Sequence, residues 1–265
     1  MSPYRKRAPT RCNFRRTRDN ARVATHLLKR APDSEFALPL LIYSASTWII
    51  PILLAITLHE AAHAYVAKWC GDNTASDLGR VSLNPFKHID PVGTVVIPGL
   101  LWFLHAPFLF GYAKPVPVNF GALRNPRRDM ILVAIAGPAV NLALAAAFAA
   151  ATYLQPKLPV QFGLWWVLVC LKAIPINVGL AVFNMLPIPP LDGGRVMLGL
   201  LPPHLAVRYA RLDRMGMIFI FGIVFLAPTF LQILGLHFDL FNRIVGVPAR
   251  AIIDWFMRFS IFGNG

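Results

Sequence analysis

Long apolar runs are the feature that most constrains the fold of this chain. Residues 38–69, 130–154, 163–186 and 215–236 form runs that are long enough to cross a bilayer as helices, which takes about 20 residues each. The composition agrees, because 56% of the 265 residues are hydrophobic and only 14% are charged, whereas soluble domains carry about 25% charged residues. In lipid, backbone polar groups must be satisfied internally, as they are in helices. We therefore predict an all-α polytopic membrane protein, a bundle of about 5–6 transmembrane helices.

One part of this bundle is predicted to be irregular. Residues 92–112 are apolar but interrupted by prolines and a glycine, and residues 113–129 are rich in proline. Proline removes a backbone donor and disfavours helix at the residue before it. Irregular backbone at membrane depth needs protein or water around it. We therefore expect a re-entrant or broken segment around 92–129.

The chain is predicted to divide into three parts. Residues 1–37 form a basic, flexible N-terminal arm, residues 38–247 form the transmembrane domain, and residues 248–265 form a short interfacial C-terminal segment. The run 38–69 is somewhat too long for one straight span and has Pro51 near its middle. We therefore expect an interfacial lead-in followed by a spanning helix.

The net charge of +14 is concentrated in the N-terminal arm. Ten of the 26 Lys and Arg lie within residues 5–30, and the others flank apolar runs. A basic arm before a first membrane segment is typical of the positive-inside rule or of attraction to anionic lipid. We therefore predict a multi-pass integral membrane protein whose partner is the lipid bilayer and not nucleic acid. The charges leave the orientation in the membrane open.

Three ionisable side chains lie in one of the most apolar parts of the chain, ITLHEAAHAYVAKWC at 56–70. His59 and His63 are four residues apart, which places both imidazoles on one face of a helix, one turn apart. Two nitrogen ligands at this spacing can bind one Zn²⁺, with Glu60 as a general base. The competing interpretation is a buried histidine pair bonded to backbone. It is weak because a carboxylate in a membrane helix is costly unless it is paired or functional.

A catalytic zinc usually takes three ligands from the protein, so a third ligand should come from elsewhere in the bundle. Asp192 stands out, in LPIPPLDGG after the run 163–186. The prolines before it stop regular helix, and Gly193 and Gly194 free the backbone to turn the carboxylate inward. The same residue types are also typical of a tight turn. The spacing alone leaves a metal ligand and a solvated turn aspartate equally open.

Three motifs together resemble the site-2 protease family of intramembrane zinc metallopeptidases. They are HEAAHA at 59–64, GPAVN at 137–141 and NMLPIPPLDGG at 184–194. The loops LNPFKHIDPVGT at 83–94 and GYAKPVPVN at 111–119 are also similar to those of the short bacterial and archaeal members. The resemblance covers roughly residues 45–225, and we identify no PDZ-like or CBS-type domain.

The resemblance implies one Zn²⁺ per chain, held by His59, His63 and Asp192, with Glu60 as the catalytic base. It places Asn141 at the active site, where it would hold the substrate or stabilise the oxyanion. It also implies transmembrane proteins as substrates, which are cleaved in or near their helices, and the bacterial plasma membrane as the location. The oligomeric state is not implied.

Several alternatives stay open. Asn141 could instead join helices by hydrogen bonds, and Asn184 could be either a second site residue or a packing residue. His88 and Asp90 could form a second metal site, although a loop pair at the membrane surface is the better interpretation. KPVPVN at 114–119 could pair with an unwound substrate or simply pack. A proteolytically inactive adaptor or a zinc-binding transporter is the alternative function.

Overall fold

The structure, a computed structural model, describes residues 37–96, 114–213 and 240–261, together with residues 100, 103, 215, 216, 220 and 222. All regular elements in these ranges are helical, so the predicted all-α fold is confirmed. The predicted N-terminal arm, most of the predicted span 215–236 and much of the run 92–112 lie outside the described residues. The predicted number of transmembrane helices therefore stays a prediction.

Seven α-helices lie wholly within the described ranges. They are α1 (Ala37–Trp69), α2 (Thr74–Asp77), α3 (Pro126–Ala151), α4 (Val160–Asn184), α5 (Asp192–Leu200), α6 (Pro203–Ala210) and α7 (Val247–Arg258). Short 3₁₀ turns occur at Pro85–Lys87, Phe120–Ala122 and Thr152–Lys157, and π-helical turns at Pro91–Val96 and Asn242–Gly246.

Three helical stretches are long and apolar enough to cross a membrane: Ile42–Trp69, Pro126–Lys157 and Val160–Asn184. The first differs from our expectation of a separate lead-in, because α1 is one helix with Pro51 inside it. Membrane helices tolerate an internal proline when neighbouring groups satisfy the freed backbone carbonyl. The described part of the chain therefore supplies three candidate spans.

The chain forms two compact units, residues 1–46 and residues 47–265. In the second unit, α3 and α4 pack through small and β-branched side chains, which allow close approach in lipid. Buried residues of this core are Ala145, Ala149, Ile174 and Val178. One face of α7 also packs here, whereas Trp255 on the same helix is exposed. The predicted interfacial role of the C-terminal segment stays a prediction.

Gly71 ends α1 with a left-handed turn, at φ 109°. The N–H of Gly71 donates to the carbonyl of Lys68, and the N–H of Asp72 donates to the carbonyl of Ala67. This pair of hydrogen bonds is the Schellman motif, which favours glycine at the left-handed position. The chain then turns back so that Asp72 Oδ2 accepts from the N–H of Asn119. The segment 114–119, which has no regular secondary structure and is called the strap below, is thereby fixed beside α1.

Candidate metal centre

Two histidine side chains of α1 face each other in the second unit. His59 and His63 lie one turn apart, and their Nε2 atoms are 3.1 Å from each other. Each residue is 8% exposed. The predicted face of two imidazoles is therefore present, and it is largely shielded from solvent.

The carboxylate of Asp192 joins this pair. Its Oδ2 lies 3.3 Å from His59 Nε2, and its Oδ1 lies 3.4 Å from His63 Nε2. Asp192 is the first residue of α5. Among the described residues, these three side chains are the one group of potential metal ligands that lies close enough to share an ion. The structure thus brings together the three residues that the sequence analysis gave as candidate ligands.

Two glycines allow α5 to begin directly against the preceding loop. A Cβ atom at Gly193 would lie 2.3 Å from the carbonyl oxygen of Met185, and one at Gly194 would lie 2.7 Å from the nitrogen of Pro189. We expected these glycines to supply backbone freedom. Their contribution here is instead the absence of a side chain, because any Cβ would push α5, and with it Asp192, away from the histidines.

Hydrogen bonds behind the two rings turn their Nε2 atoms toward the centre. His59 Nδ1 lies 2.6 Å from Asn141 Oδ1, and His63 Nδ1 lies 2.7 Å from the carbonyl oxygen of Val133. Both partners are acceptors, so Nδ1 of each neutral ring carries the proton and Nε2 keeps its lone pair. Metal-binding histidines in proteins are oriented in this way.

The cluster fits a metal ion. The two Nε2 atoms and the carboxylate present lone pairs to one another at 3.1–3.4 Å, and the buried Oδ2 of Asp192 has no hydrogen-bond partner among the described residues. Two imidazole nitrogens and one carboxylate oxygen are a donor set that catalytic Zn²⁺ accepts.

Gly137 lets α3 pass directly beside the two imidazoles. A Cβ atom there would lie 2.4 Å from His63 Nε2 and 2.7 Å from His59 Nε2. Glycine inside a helix costs about 1 kcal/mol relative to alanine. Glycine is nevertheless needed at this position of GPAVN, because the two histidines of α1 leave no room for a side chain at Gly137.

Curated proteins of similar sequence carry metalloprotease names. The chain is 37% identical over 198 residues to the Bacillus subtilis protein named "Putative zinc metalloprotease YwhC", a match that covers 68% of this chain and 80% of that protein. It is 34% identical over 177 residues to Rip2 of Mycobacterium tuberculosis, which has the same description, covering 67% of this chain and 65% of that protein. The chain belongs to the site-2 protease family.

Membership of the site-2 protease family confirms the resemblance that the three motifs indicated. It makes the chain an intramembrane protease of the zinc metalloprotease type, rather than an adaptor or a transporter. No family model matches the chain, and no solved structure matches it. The roles of individual residues therefore rest on the geometry.

Asn141 lies behind His59, between three helices of this site-2 protease. Its Oδ1 faces His59, while its Nδ2 lies 3.2 Å from the carbonyl oxygen of Ala55 and 2.9 Å from Asn177 Oδ1. Asn177 in turn donates to the carbonyl of Ala173. Both asparagines are completely buried. These contacts agree with the alternative that Asn141 joins helices by hydrogen bonds. The contact with His59 also sets the tautomer of that ring. Direct contact of Asn141 with substrate stays a prediction.

Asn177 is a site residue that the sequence analysis missed. Its signal was an amide inside an apolar span, in KAIPINVGL, but nothing local relates it to His59. Its Oδ1 accepts from the Asn141 amide and so keeps the oxygen of that amide turned toward the histidine. Only the packing of α3 against α4 brings the two residues together.

Replacing Asn141 by leucine is expected to weaken zinc binding about 10- to 100-fold, the usual effect of removing a group that orients a metal ligand. The measurement is zinc affinity in detergent, by competition with a chromophoric chelator. The control is Asn184→Leu, because the hydrogen bond that Asn184 donates among the described residues goes to the carbonyl of Leu180 within its own helix. Equal affinity in the two variants would contradict a role for Asn141 in orienting His59.

Glu60 is half-buried, next to His59 on α1. Its Oε2 accepts a hydrogen bond of 2.8 Å from the backbone N–H of Val116 in the strap. Glu60 thus places a carboxylate close to the histidine pair but outside the group of metal ligands. A general base is needed at such a position. The proposed role of Glu60 as the base stays a prediction that this position supports.

The other candidates are held by local contacts. His88 is buried, and its Nε2 bonds to the carbonyl oxygen of Ser82. Asp90 Oδ1 accepts from the N–H groups of Val92 and Gly93 and so caps the following turn. These contacts favour a structured loop over a second metal site.

Proposed function

We propose that this chain is an active zinc-dependent endopeptidase that hydrolyses peptide bonds in or near the transmembrane helices of membrane proteins. His59, His63 and Asp192 would hold one Zn²⁺, and Glu60 would be the general base. The observation that carries the proposal is the convergence of three ligand side chains from α1 and α5, whose nearest atoms lie 3.1–3.4 Å apart. Three protein ligands are the number that a catalytic zinc takes, which leaves a position for the reaction.

The chemistry divides between the metal and the chain. Zn²⁺, when bound, supplies Lewis-acid polarisation of a carbonyl and lowers the pKa of water towards about 7. Glu60 takes a proton from the attacking water and later delivers it to the nitrogen of the leaving amine. Asn141 and the carbonyl of Val133 hold the two imidazoles in the tautomer that keeps both Nε2 atoms free.

The substrate we propose is a transmembrane helix of another protein. Its peptide carbonyls are engaged in helical hydrogen bonds, so a short stretch must unwind before hydrolysis. Residues that weaken a helix, such as glycine, would favour this step. We further propose a multi-pass location in a bacterial plasma membrane, which the bacterial relatives and the three apolar helices support.

The test is a measurement of metal content together with cleavage, using the full chain purified in detergent. The expected result is about one zinc per chain, in line with a single catalytic site, and specific cleavage of a model transmembrane peptide located by mass spectrometry. A strong chelator should stop cleavage, and added zinc should restore it. Zinc binding without cleavage of any helical peptide would contradict the protease proposal, and absence of bound zinc would contradict the assignment of the ligands.

A further inference from the structure

The strap is fixed to the rest of the second unit on both sides of Val116. The N–H of Lys114 donates to the carbonyl of His88, and Arg80 Nη2 donates to the carbonyl of Lys114 at 2.9 Å. On the other side, the N–H of Asn119 donates to Asp72 Oδ2 at 2.7 Å. The strap therefore has a defined position beside α1.

The Val116 side chain sets the register of the strap. It is 8% exposed and packs with Ala64 of α1 and Ala75 of α2, two alanines with no exposed surface. Pro115 and Pro117 flank it, and proline has no backbone N–H. Val116 therefore carries the only N–H donor in the stretch 115–117. A shift of one residue would present a proline nitrogen to α1 instead.

That single donor is directed at Glu60. The distance from the Val116 nitrogen to Glu60 Oε2 is 2.8 Å, which is typical of a charge-assisted hydrogen bond. The bond occupies one carboxylate oxygen and leaves Oε1 without a partner among the described residues. A carboxylate that is held at one oxygen has lost the rotational freedom that a general base must otherwise lose during the reaction.

We propose that the backbone N–H of Val116 is a positioning group for the catalytic base. It holds Glu60 by Oε2, so that Oε1 takes the proton from the attacking water. The inference rests on the proposed function, because it concerns the same reaction. It assigns the strap a task in catalysis that is independent of any contact between the strap and substrate.

Proline substitution tests this inference, because it removes the N–H without adding a polar group. Val116→Pro is expected to lower kcat about 10- to 100-fold, the range for a lost hydrogen bond to a charged group. KM and zinc content should stay within about twofold of wild type, because the bond acts on the base and not on uniform substrate binding. The comparison variant is Val116→Ala, which removes the two γ-methyl groups from the packing with Ala64 and Ala75 but keeps the N–H. Its kcat should fall by a clearly smaller factor than that of Val116→Pro.

A double-mutant cycle separates positioning from a general disturbance of the strap. In Glu60→Asp the carboxylate is one methylene shorter and no longer reaches the Val116 N–H. Adding Val116→Pro to Glu60→Asp should therefore lower the remaining kcat by no more than about twofold, since coupled residues show non-additive effects. A purely structural defect would lower kcat by the same factor in both backgrounds.

The outcomes distinguish this inference from the proposed function. If the wild type cleaves and Val116→Pro matches Val116→Ala, the positioning role is wrong while the protease stands. If Val116→Pro cleaves faster than wild type, the bond restrains the base instead of positioning it, and the inference is overturned. If the wild type itself cleaves no helical peptide, the proposed function fails, and the inference fails with it.

Discussion

Glu60→Gln is expected to abolish peptide cleavage while the protein still binds zinc. The glutamine amide cannot accept a proton from water, so the rate should fall by at least the 10²- to 10⁴-fold that general acid–base catalysis contributes. Zinc content should remain that of the wild type, because the ligand group of His59, His63 and Asp192 does not include Glu60. Glutamine also preserves the shape of the side chain and an oxygen that can accept from the Val116 N–H.

The measurement is product formation from a model transmembrane peptide, beside zinc content of the same sample. A suitable control is Asp254→Asn, which removes an exposed carboxylate on α7 and should leave both quantities unchanged. Loss of zinc in Glu60→Gln would show that Glu60 helps to hold the metal. Undiminished cleavage would rule it out as the base.

Gly137→Ala is the second variant for which we expect a large effect. The added methyl group would lie 2.4 Å from His63 Nε2 and 2.6 Å from His59 Cε1, well inside van der Waals contact. The imidazoles must move, or α3 must shift away from α1, and either change separates the ligand atoms. Zinc affinity should fall more than about 100-fold, beyond the 10- to 100-fold effect of losing an orienting partner, and cleavage should fall with it.

Gly179→Ala is the matched control for that experiment. Gly179 lies in α4, and a Cβ atom there would meet nothing within 4 Å. Alanine should stabilise this helix slightly, by up to about 1 kcal/mol, and leave zinc affinity unchanged. Zinc titration and size-exclusion chromatography of both variants would separate loss of the metal centre from loss of the fold. Wild-type zinc affinity in Gly137→Ala would contradict the close packing of α3 on the histidines.

The parts of the site that could be predicted from the sequence are those with a local physical cause. His59 and His63 share a face because helical geometry places residues four apart one turn apart. Gly71 stops α1 because a left-handed position favours glycine. Asp192 was left undecided between a ligand and a turn residue, since its distance from the histidines depends on how α5 packs against the loop before it.

The parts that could not be predicted depend on tertiary contacts. The donor of Val116 is its backbone N–H, which cannot be recognised from the type of residue. Its partner, Glu60, is also distant in sequence. Asn177 reaches His59 only through Asn141, across two helix interfaces. The continuity of α1 through Pro51 also had no local signal, because proline breaks an isolated helix but is tolerated where neighbouring helices compensate for the lost bond.

The ligands also have an order of appearance during synthesis. His59 and His63 are synthesised together as parts of α1, whereas Asp192 follows only after a further stretch of about half the chain length. A nascent chain with only the two imidazoles offers an incomplete chelate, so it would hold zinc weakly and release it readily. Tight capture of the ion would coincide with the docking of α5, late in assembly. Chains in which α5 has not yet docked would therefore lack protease activity while they are being inserted among other membrane proteins.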